Sequence, residues 1–183
     1  MEKMTQEYLE ITGGKPLVGK IKASGAKNAM TKLLVASMLS DKKCIFYNVP
    51  NISDVEITIA LCMEVGMEVN WDREKQIIEA HTKEIKNTHI SQKFSGANRI
   101  PILLIGALLG RTKDEIVVPT VGGDDLGKRP LDFHLQSFKK LNADVEFKRE
   151  DGKVFYCAKL RDELEGTIVE FDYPSVGATE NTI

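Results

Sequence analysis

Hydrophobic and polar positions follow two periods that alternate along the chain. Thr31-Lys32-Leu33-Leu34-Val35-Ala36-Ser37-Met38-Leu39 and Ile102-Leu103-Leu104-Ile105-Gly106-Ala107-Leu108-Leu109 carry apolar residues at helical spacing, and both predict helices buried in a core. Each is followed by a charged turn and a β-rich run, Cys44-Ile45-Phe46-Tyr47-Asn48-Val49-Pro50 in one case and Glu115-Ile116-Val117-Val118-Pro119 in the other. Beyond each proline the helical period returns over 54–65 and 131–141, with Gly66 and Asn142 placed to end those helices as C-caps. Hairpins then follow. Their strands are Glu68-Val69-Asn70-Trp71 with Gln76-Ile77-Ile78-Glu79-Ala80, and Asp144-Val145-Glu146-Phe147 with Lys153-Val154-Phe155-Tyr156-Cys157.

The chain is therefore built from one unit used more than once. Ser24-Gly25-Ala26-Lys27-Asn28 precedes the first buried helix, and Ser95-Gly96-Ala97-Asn98-Arg99 precedes the second. With a strand leading into each tripeptide, a unit reads strand, helix, strand, helix, hairpin. Unit one is expected over residues 21–90 and unit two over 91–164. A third copy, 165–183, opens with Gly166-Thr167-Ile168-Val169-Glu170-Phe171 and Ser175-Val176-Gly177-Ala178-Thr179-Glu180-Asn181, and is expected to lack its helices. One unit cannot bury its apolar face alone, whereas stacked copies share a core. The expected fold is thus a mixed α/β (α+β) lobe with a truncated third unit, belonging to a longer polypeptide.

Composition narrows the function classes. Over 183 residues, 25 Lys and Arg stand against 27 Asp and Glu, and a net charge of -2 gives no electrostatic reason to bind nucleic acid or an anionic membrane. No apolar run approaches the roughly 20 residues of a bilayer span, and the start of the chain lacks a signal-peptide pattern. A cytoplasmic protein is expected. Cys44, Cys62 and Cys157 are odd in number and set among apolar residues, which predicts buried reduced thiols. His81, His89 and His134 have no spacing that suggests a metal site, and no Gly-x-Ser-x-Gly elbow is present.

The recurrent turns carry the candidate chemistry. A turn that opens a buried helix presents unpaired backbone N–H groups and the positive end of the helix dipole, a setting that suits anions. The first turn adds Lys27 and Asn28. The second adds Arg99, whose fork matches phosphate or carboxylate oxygens. The plainer reading makes Ser24 and Ser95 helix caps and leaves Lys27 and Arg99 solvated; three equivalent turns favour a shared polar cleft. Gly122, Gly123 and Gly127 surround Asp124 and Asp125, and Lys128-Arg129 follow at once. Such a loop has the makings of a lid that closes over a cleft and delivers a proton, or else of a solvated surface loop.

Taken in order, Ser24-Gly25-Ala26-Lys27-Asn28-Ala29, Asn48-Val49-Pro50 with Ser53-Asp54-Val55, the loop from Gly122 to Pro130, Arg129-Pro130-Leu131-Asp132-Phe133-His134, and the stretch Phe171-Asp172-Tyr173-Pro174-Ser175-Val176-Gly177-Ala178-Thr179-Glu180-Asn181 resemble the UDP-N-acetylglucosamine 1-carboxyvinyltransferase family. The resemblance covers nearly the whole chain. It implies an inside-out α/β barrel lobe, one of two in an enolpyruvyl transferase, with the active site between lobes and residues 1–20 packed on the second. It implies transfer of the enolpyruvyl group of phosphoenolpyruvate to the 3-hydroxyl of UDP-N-acetylglucosamine with release of phosphate. That is the first committed step of peptidoglycan synthesis, and hence of cell-wall building, cell shape and division. No cofactor and no metal are implied.

By position, Lys27 and Asn28 are expected at phosphoenolpyruvate, and Arg99 at the nucleotide sugar. Arg129, Pro130, Leu131, Asp132 and Phe133 are expected at its uridine end, and Tyr173, Pro174, Ser175 and Val176 along its diphosphate and sugar. Asp124 takes the place of the family's proton donor, which is usually Cys; with Asp there, fosfomycin, which alkylates that Cys, is expected not to inactivate the enzyme. Because the remaining lobe would have to come from the same polypeptide or a partner chain, these 183 residues alone are expected to turn over little. The alternatives are a non-catalytic UDP-sugar-binding homologue and an enolpyruvyl transferase acting on shikimate 3-phosphate.

Overall fold

The computed structural model describes residues 8–123 and 130–183; the expected lid tip with Asp124 and Asp125, together with Lys128 and Arg129, lies outside the described residues, as do residues 1–7. Unit one contains α1 (Lys27–Ser37), β1 (Cys44–Phe46), α2 (Ser53–Val65), β2 (Glu68–Asp72) and β3 (Ile77–His81). Unit two repeats that order with α3 (Ile100–Leu109), β4 (Ile116–Pro119), α4 (Asp132–Lys140), β5 (Ala143–Glu150) and β6 (Lys153–Leu160). The sheets have one topology. β1 pairs with β3 and β3 with β2, all antiparallel, just as β4 pairs with β6 and β6 with β5.

Local chemistry explains the joints. The β5–β6 hairpin turns on Asp151 (φ 49°) and Gly152 (φ 74°), the two left-handed residues that match the twist of the flanking strands. Helix α2 stops at Gly66 (φ 120°), and the chain leaves α4 through Asn142 (φ 71°), one residue beyond the cap position at Leu141.

Helix α3 forms the centre. Nine of its ten residues are buried, with Leu104, Ile105 and Leu108 fully so, as its uninterrupted apolar sequence requires. It packs against α1, α2, β4 and β6, so helices lie inside and the sheets outside. Leu34, Met38, Val55 and Leu61 of unit one join Leu104, Ile105, Ile116 and Phe138 of unit two in one hydrophobic cluster. Each such fully buried aliphatic side chain stabilises the fold by about 1.5–3 kcal/mol relative to exposure. Arg111 fastens the units further, donating to the carbonyls of Met38, Thr82 and Lys83.

Three expectations need correction. The strand leading into each Ser-Gly-Ala turn does not form. Residues 8–26 have no regular secondary structure, and in unit two only a parallel bridge between His89 and Val117 remains. The reason in unit one is the lack of a partner, since Tyr8, Leu9, Ile11, Leu17, Val18 and Ile21 are 82–99% exposed. The third copy does keep a helix, α5 (Val176–Thr182), held because its Asn181 and Thr182 bond to α3 and α4. Finally, Cys44 is only half-buried at a sheet edge, while Cys62 and Cys157 are buried; all three are free thiols. Burial pushes Cys62 up to about 12, which leaves it unreactive.

Gly25 sits where no side chain fits. A β-carbon there would lie 1.8 Å from the carbonyl oxygen of Asn48. Gly25→Ala is expected to destabilise the protein by about 1–3 kcal/mol and to shift the start of α1, read as a lower Tm; a variant melting with the parent would contradict this packing.

Candidate functional site

The three turns meet. Lys27 and Asn28 open α1, Gly96, Ala97, Asn98 and Arg99 lead into α3, and Val176 and Gly177 open α5; all line one cleft of about 620 Å³. Gly123, at the root of the expected lid, and His134 on α4 complete its wall. Neither Ser24 nor Ser95 caps the helix that follows it. The N-cap positions of α1 and α3 are Ala26 and Arg99, without a side-chain cap, while Asn98 Oδ1 accepts from the N–H of Ile100 and Ser175 Oγ accepts from that of Ala178. The cleft therefore faces three helix N-termini, of which α1 has no side-chain cap while α3 and α5 each have one N–H engaged by Asn98 or Ser175.

Backbone hydrogen bonds hold the second turn. Gly96 N donates to Thr120 O at 2.8 Å, and Gly122 N donates to Asn98 O at 2.8 Å. Gly122 comes so close that a β-carbon would stand 1.9 Å from Gly96 O. Only glycine permits that crossing, so the stem of the 124–129 segment is fixed to the turn that carries Arg99.

At rest the lysines of the cleft are paired with carboxylates. Lys27 Nζ lies 3.2 Å from Asp54 Oδ2, both partly exposed, and Lys32 pairs with Glu180 across the cleft wall. Arg99 Nη2 donates to Pro130 O at 3.4 Å, joining the cleft to a second feature. There Phe133 stacks on Phe171 with centroids 4.9 Å apart and meets Tyr173 edge-on at 4.8 Å. Aromatic faces of this kind accept a flat ring, and Tyr173 is 58% exposed.

The expected site residues thus fall into two neighbouring groups. Lys27, Asn28, Arg99 and Val176 line the cleft; Phe133 and Tyr173 form the aromatic group. Pro130 and Asp132 are exposed at the start of α4, Pro174 is exposed beside Tyr173, and Ser175 caps α5. The side chain of Leu131 is buried in the core, so only its backbone can face a ligand. Asp124 and Arg129 lie outside the described residues. Sequence reasoning missed Asn98, Asp54 and His134 as cleft residues. Asn98 stood inside the repeated turn and Asp54 and His134 inside quoted stretches, so position in the motif was the available signal.

His134 is 6% exposed. Burial first, and the Arg99 cation second, push its imidazole down from 6.5 to about 4. The folded chain therefore stays unprotonated at this ring while the unfolded chain takes up a proton below pH 6.5. The resulting stability is fully present above that pH and is lost as pH falls towards 4. Tm is expected to decline across that window, and His134→Gln to remove part of the decline; identical slopes in the two proteins would contradict the assignment.

The model of the family described as EPSP synthase (3-phosphoshikimate 1-carboxyvinyltransferase) matches residues 11–183. The chain belongs to this family. Among family relatives, it is 60% identical over 177 residues to a UDP-N-acetylglucosamine 1-carboxyvinyltransferase of Protochlamydia amoebophila, covering 97% of this chain and 38% of the relative. It is 49% identical to that of Chlamydia pneumoniae, with the same coverage. It is 35% identical to UDP-N-acetylglucosamine 1-carboxyvinyltransferase 2 of Staphylococcus saprophyticus, covering 97% of this chain and 41% of the relative. The chain spans about two fifths of the length of these relatives.

Solved structures of the family share the fold. The enolpyruvyl transferase NikO from Streptomyces tendae superposes with a TM-score of 0.66 at 15% identity, over 83% of this chain and 32% of its own. EPSP synthase from Acinetobacter baumannii gives 0.65 at 16% identity, over 90% of this chain and 37% of its own. The barrel-lobe architecture of the family is thus the architecture of this chain. Among the described residues no group of three or more His, Cys, Asp or Glu could hold a metal ion, and no helix is long and apolar enough to cross a membrane.

Proposed function

We propose that this chain forms the substrate-binding lobe of a UDP-N-acetylglucosamine 1-carboxyvinyltransferase. The observation that carries the reading is the convergence of three repeat turns on one cleft that holds Lys27 and Arg99. The family match and the names of the relatives point to the enolpyruvyl chemistry and the acceptor. In this reading Lys27 and Asn28 bind phosphoenolpyruvate at the start of α1. Arg99 holds the nucleotide sugar, and Phe133 with Tyr173 flanks its uracil ring. Arg129, Pro130, Leu131 and Asp132 line the uridine end, and Pro174, Ser175 and Val176 run along the diphosphate and sugar.

The chemistry assigns the remaining roles. Addition of the sugar 3-hydroxyl across the double bond of phosphoenolpyruvate forms a C–O bond at C2, gives the hydroxyl proton to a carboxylate base of the second lobe, and needs a proton at C3, which Asp124 supplies in place of the usual Cys. Elimination of phosphate, with loss of a C3 proton, then yields the enolpyruvyl ether. An Asp can donate this proton only if its pKa rises well above about 3.9, as closure of a dry site around it would achieve. In the same reading the N-terminal segment packs on the second lobe, which the exposure of Leu9, Ile11, Leu17, Val18 and Ile21 supports. The reaction places the protein in the cytoplasm, in peptidoglycan synthesis.

Phosphate release tests this. The complete transferase is expected to release phosphate from phosphoenolpyruvate only when UDP-N-acetylglucosamine is present, and these 183 residues alone to release little or none. Release that depends on shikimate 3-phosphate instead would replace the acceptor, and binding of the nucleotide sugar with no release by the complete protein would indicate a binding homologue.

A further inference from the structure

Two hydrogen bonds decide where the proton of His134 resides. Asn181 Nδ2 lies 3.1 Å from the carbonyl oxygen of Ile102, which can only accept, so the amide nitrogen must face that way. The same nitrogen lies 3.0 Å from His134 Nδ1. An amide N–H₂ group has two hydrogens and no usable lone pair, so its second hydrogen goes to Nδ1 and the ring accepts there. The amide lies close to Gly106, where a β-carbon would stand 2.3 Å from Asn181 Oδ1.

With Nδ1 accepting, the uncharged ring carries its hydrogen on Nε2. That nitrogen is turned to Gly177, a position without a side chain, 3.6 Å from where a β-carbon would be. It has no hydrogen-bond partner among the described residues, and His134 and Gly177 both line the cleft. Asn98 is 5% exposed, its Oδ1 is engaged by the N–H of Ile100, and its buried Nδ2 has no acceptor among the described residues. The Asn98 nitrogen is shut away from solvent and costly to leave unpaired, whereas His134 lines the cleft, so the hydrogen on its Nε2 is available to an oxygen brought there by a ligand.

Building on the substrate-binding reading above, we propose that His134 is a positioning residue, locked by Asn181 with its hydrogen on Nε2, which donates to a phosphate or carboxylate oxygen of the ligand held by the three turns. The ring is not a proton carrier, because an imidazole that titrates near 4 stays uncharged at neutral pH. Its function is to fix an oxygen, and helix α5 sets it through Asn181. The third unit thereby tunes a residue of the second.

Selective ¹⁵N labelling of the histidines tests this in the full-length protein without a substitution. Two-bond ¹H–¹⁵N correlations are expected to show His134 with Nε2 protonated and Nδ1 bare, and the Nε2 resonance is expected to move when UDP-N-acetylglucosamine or phosphoenolpyruvate is added. His134→Phe is expected to weaken binding of the affected ligand about tenfold to a hundredfold, and His134→Gln, which keeps a donor, to recover most of it. A ring protonated on Nδ1, or a Phe variant that binds as the parent does, overturns the proposal. Ligands that move the Asn28 and Arg99 amides but neither nitrogen of His134 also overturn it while leaving the binding reading in place. Ligands that move none of these residues remove the binding reading, and the proposal with it.

Discussion

In the complete transferase of the proposed reading, Lys27→Ala is expected to lower kcat/KM for phosphate release by about a hundredfold to a thousandfold, the cost of removing one fixed donor from developing charge. The ammonium stands at the first residue of α1, where the helix dipole adds to its charge and the Asn28 amide lies beside it. In the resting cleft it leans on Asp54 at 3.2 Å. That pair is largely exposed, so losing it changes stability by less than about 1 kcal/mol, and the variant is expected to melt close to the parent. Lys27→Arg is expected to recover little, because a planar fork does not place its charge where a compact ammonium does. Steady-state phosphate release and a thermal melt on the same samples check both halves. A variant with intact turnover would remove Lys27 from the chemistry, and one that fails to fold would make the ion pair structural.

Asp124 sets the second large effect. Asp124→Asn keeps the shape and removes the proton, and turnover is expected to fall by about a hundredfold to ten-thousandfold. Asp124→Cys restores a dissociable group, so activity is expected to persist while sensitivity to fosfomycin appears. Intact-mass measurement reads the difference: no adduct on the parent protein, one on the Cys variant. Two of the three cysteines are unsuited to the reaction, since Cys62 is fully buried with its thiol pushed up to about 12 and Cys157 is buried with its thiol pushed up as well; an adduct on the half-buried Cys44 is told from one on the 124–129 segment by peptide mapping. An adduct on the 124–129 segment of the parent, or an Asn variant with full turnover, would refute the assignment.

Much of this architecture was legible in the residues because each unit repeats the same periods. The unbroken apolar run from Ile102 to Leu109 could only be a central helix, and the Asp151-Gly152 pair could only turn tightly. What the residues did not reveal depended on partners distant in sequence. A strand before Ser24 needs a neighbour to pair with, and residues 8–26 have none in this chain. Helix α5 was unexpected because its stability comes from Asn181 and Thr182 reaching α3 and α4, not from its own seven residues.

The site divides the same way. The turns announced Lys27, Asn28 and Arg99 through charge and glycine spacing, and the structure brings all three to one cleft. His134 carried no local sign of its place. Its burial, its bond to Asn181 and its position across from Gly177 exist only once α4 and α5 have packed. Leu131 shows the converse, a residue inside an expected binding stretch whose side chain serves the core.

The most direct test of the account is a titration of the uniformly ¹⁵N-labelled chain with UDP-N-acetylglucosamine and, separately, with shikimate 3-phosphate, followed residue by residue by NMR. The nucleotide sugar is expected to shift the amides of Arg99, Phe133, Tyr173, Ser175 and Val176 together, at millimolar concentration if need be, and shikimate 3-phosphate to leave the aromatic group unmoved. Shifts confined to other surfaces, or the same set moved by shikimate 3-phosphate and left silent by the nucleotide sugar, would contradict the proposed reading.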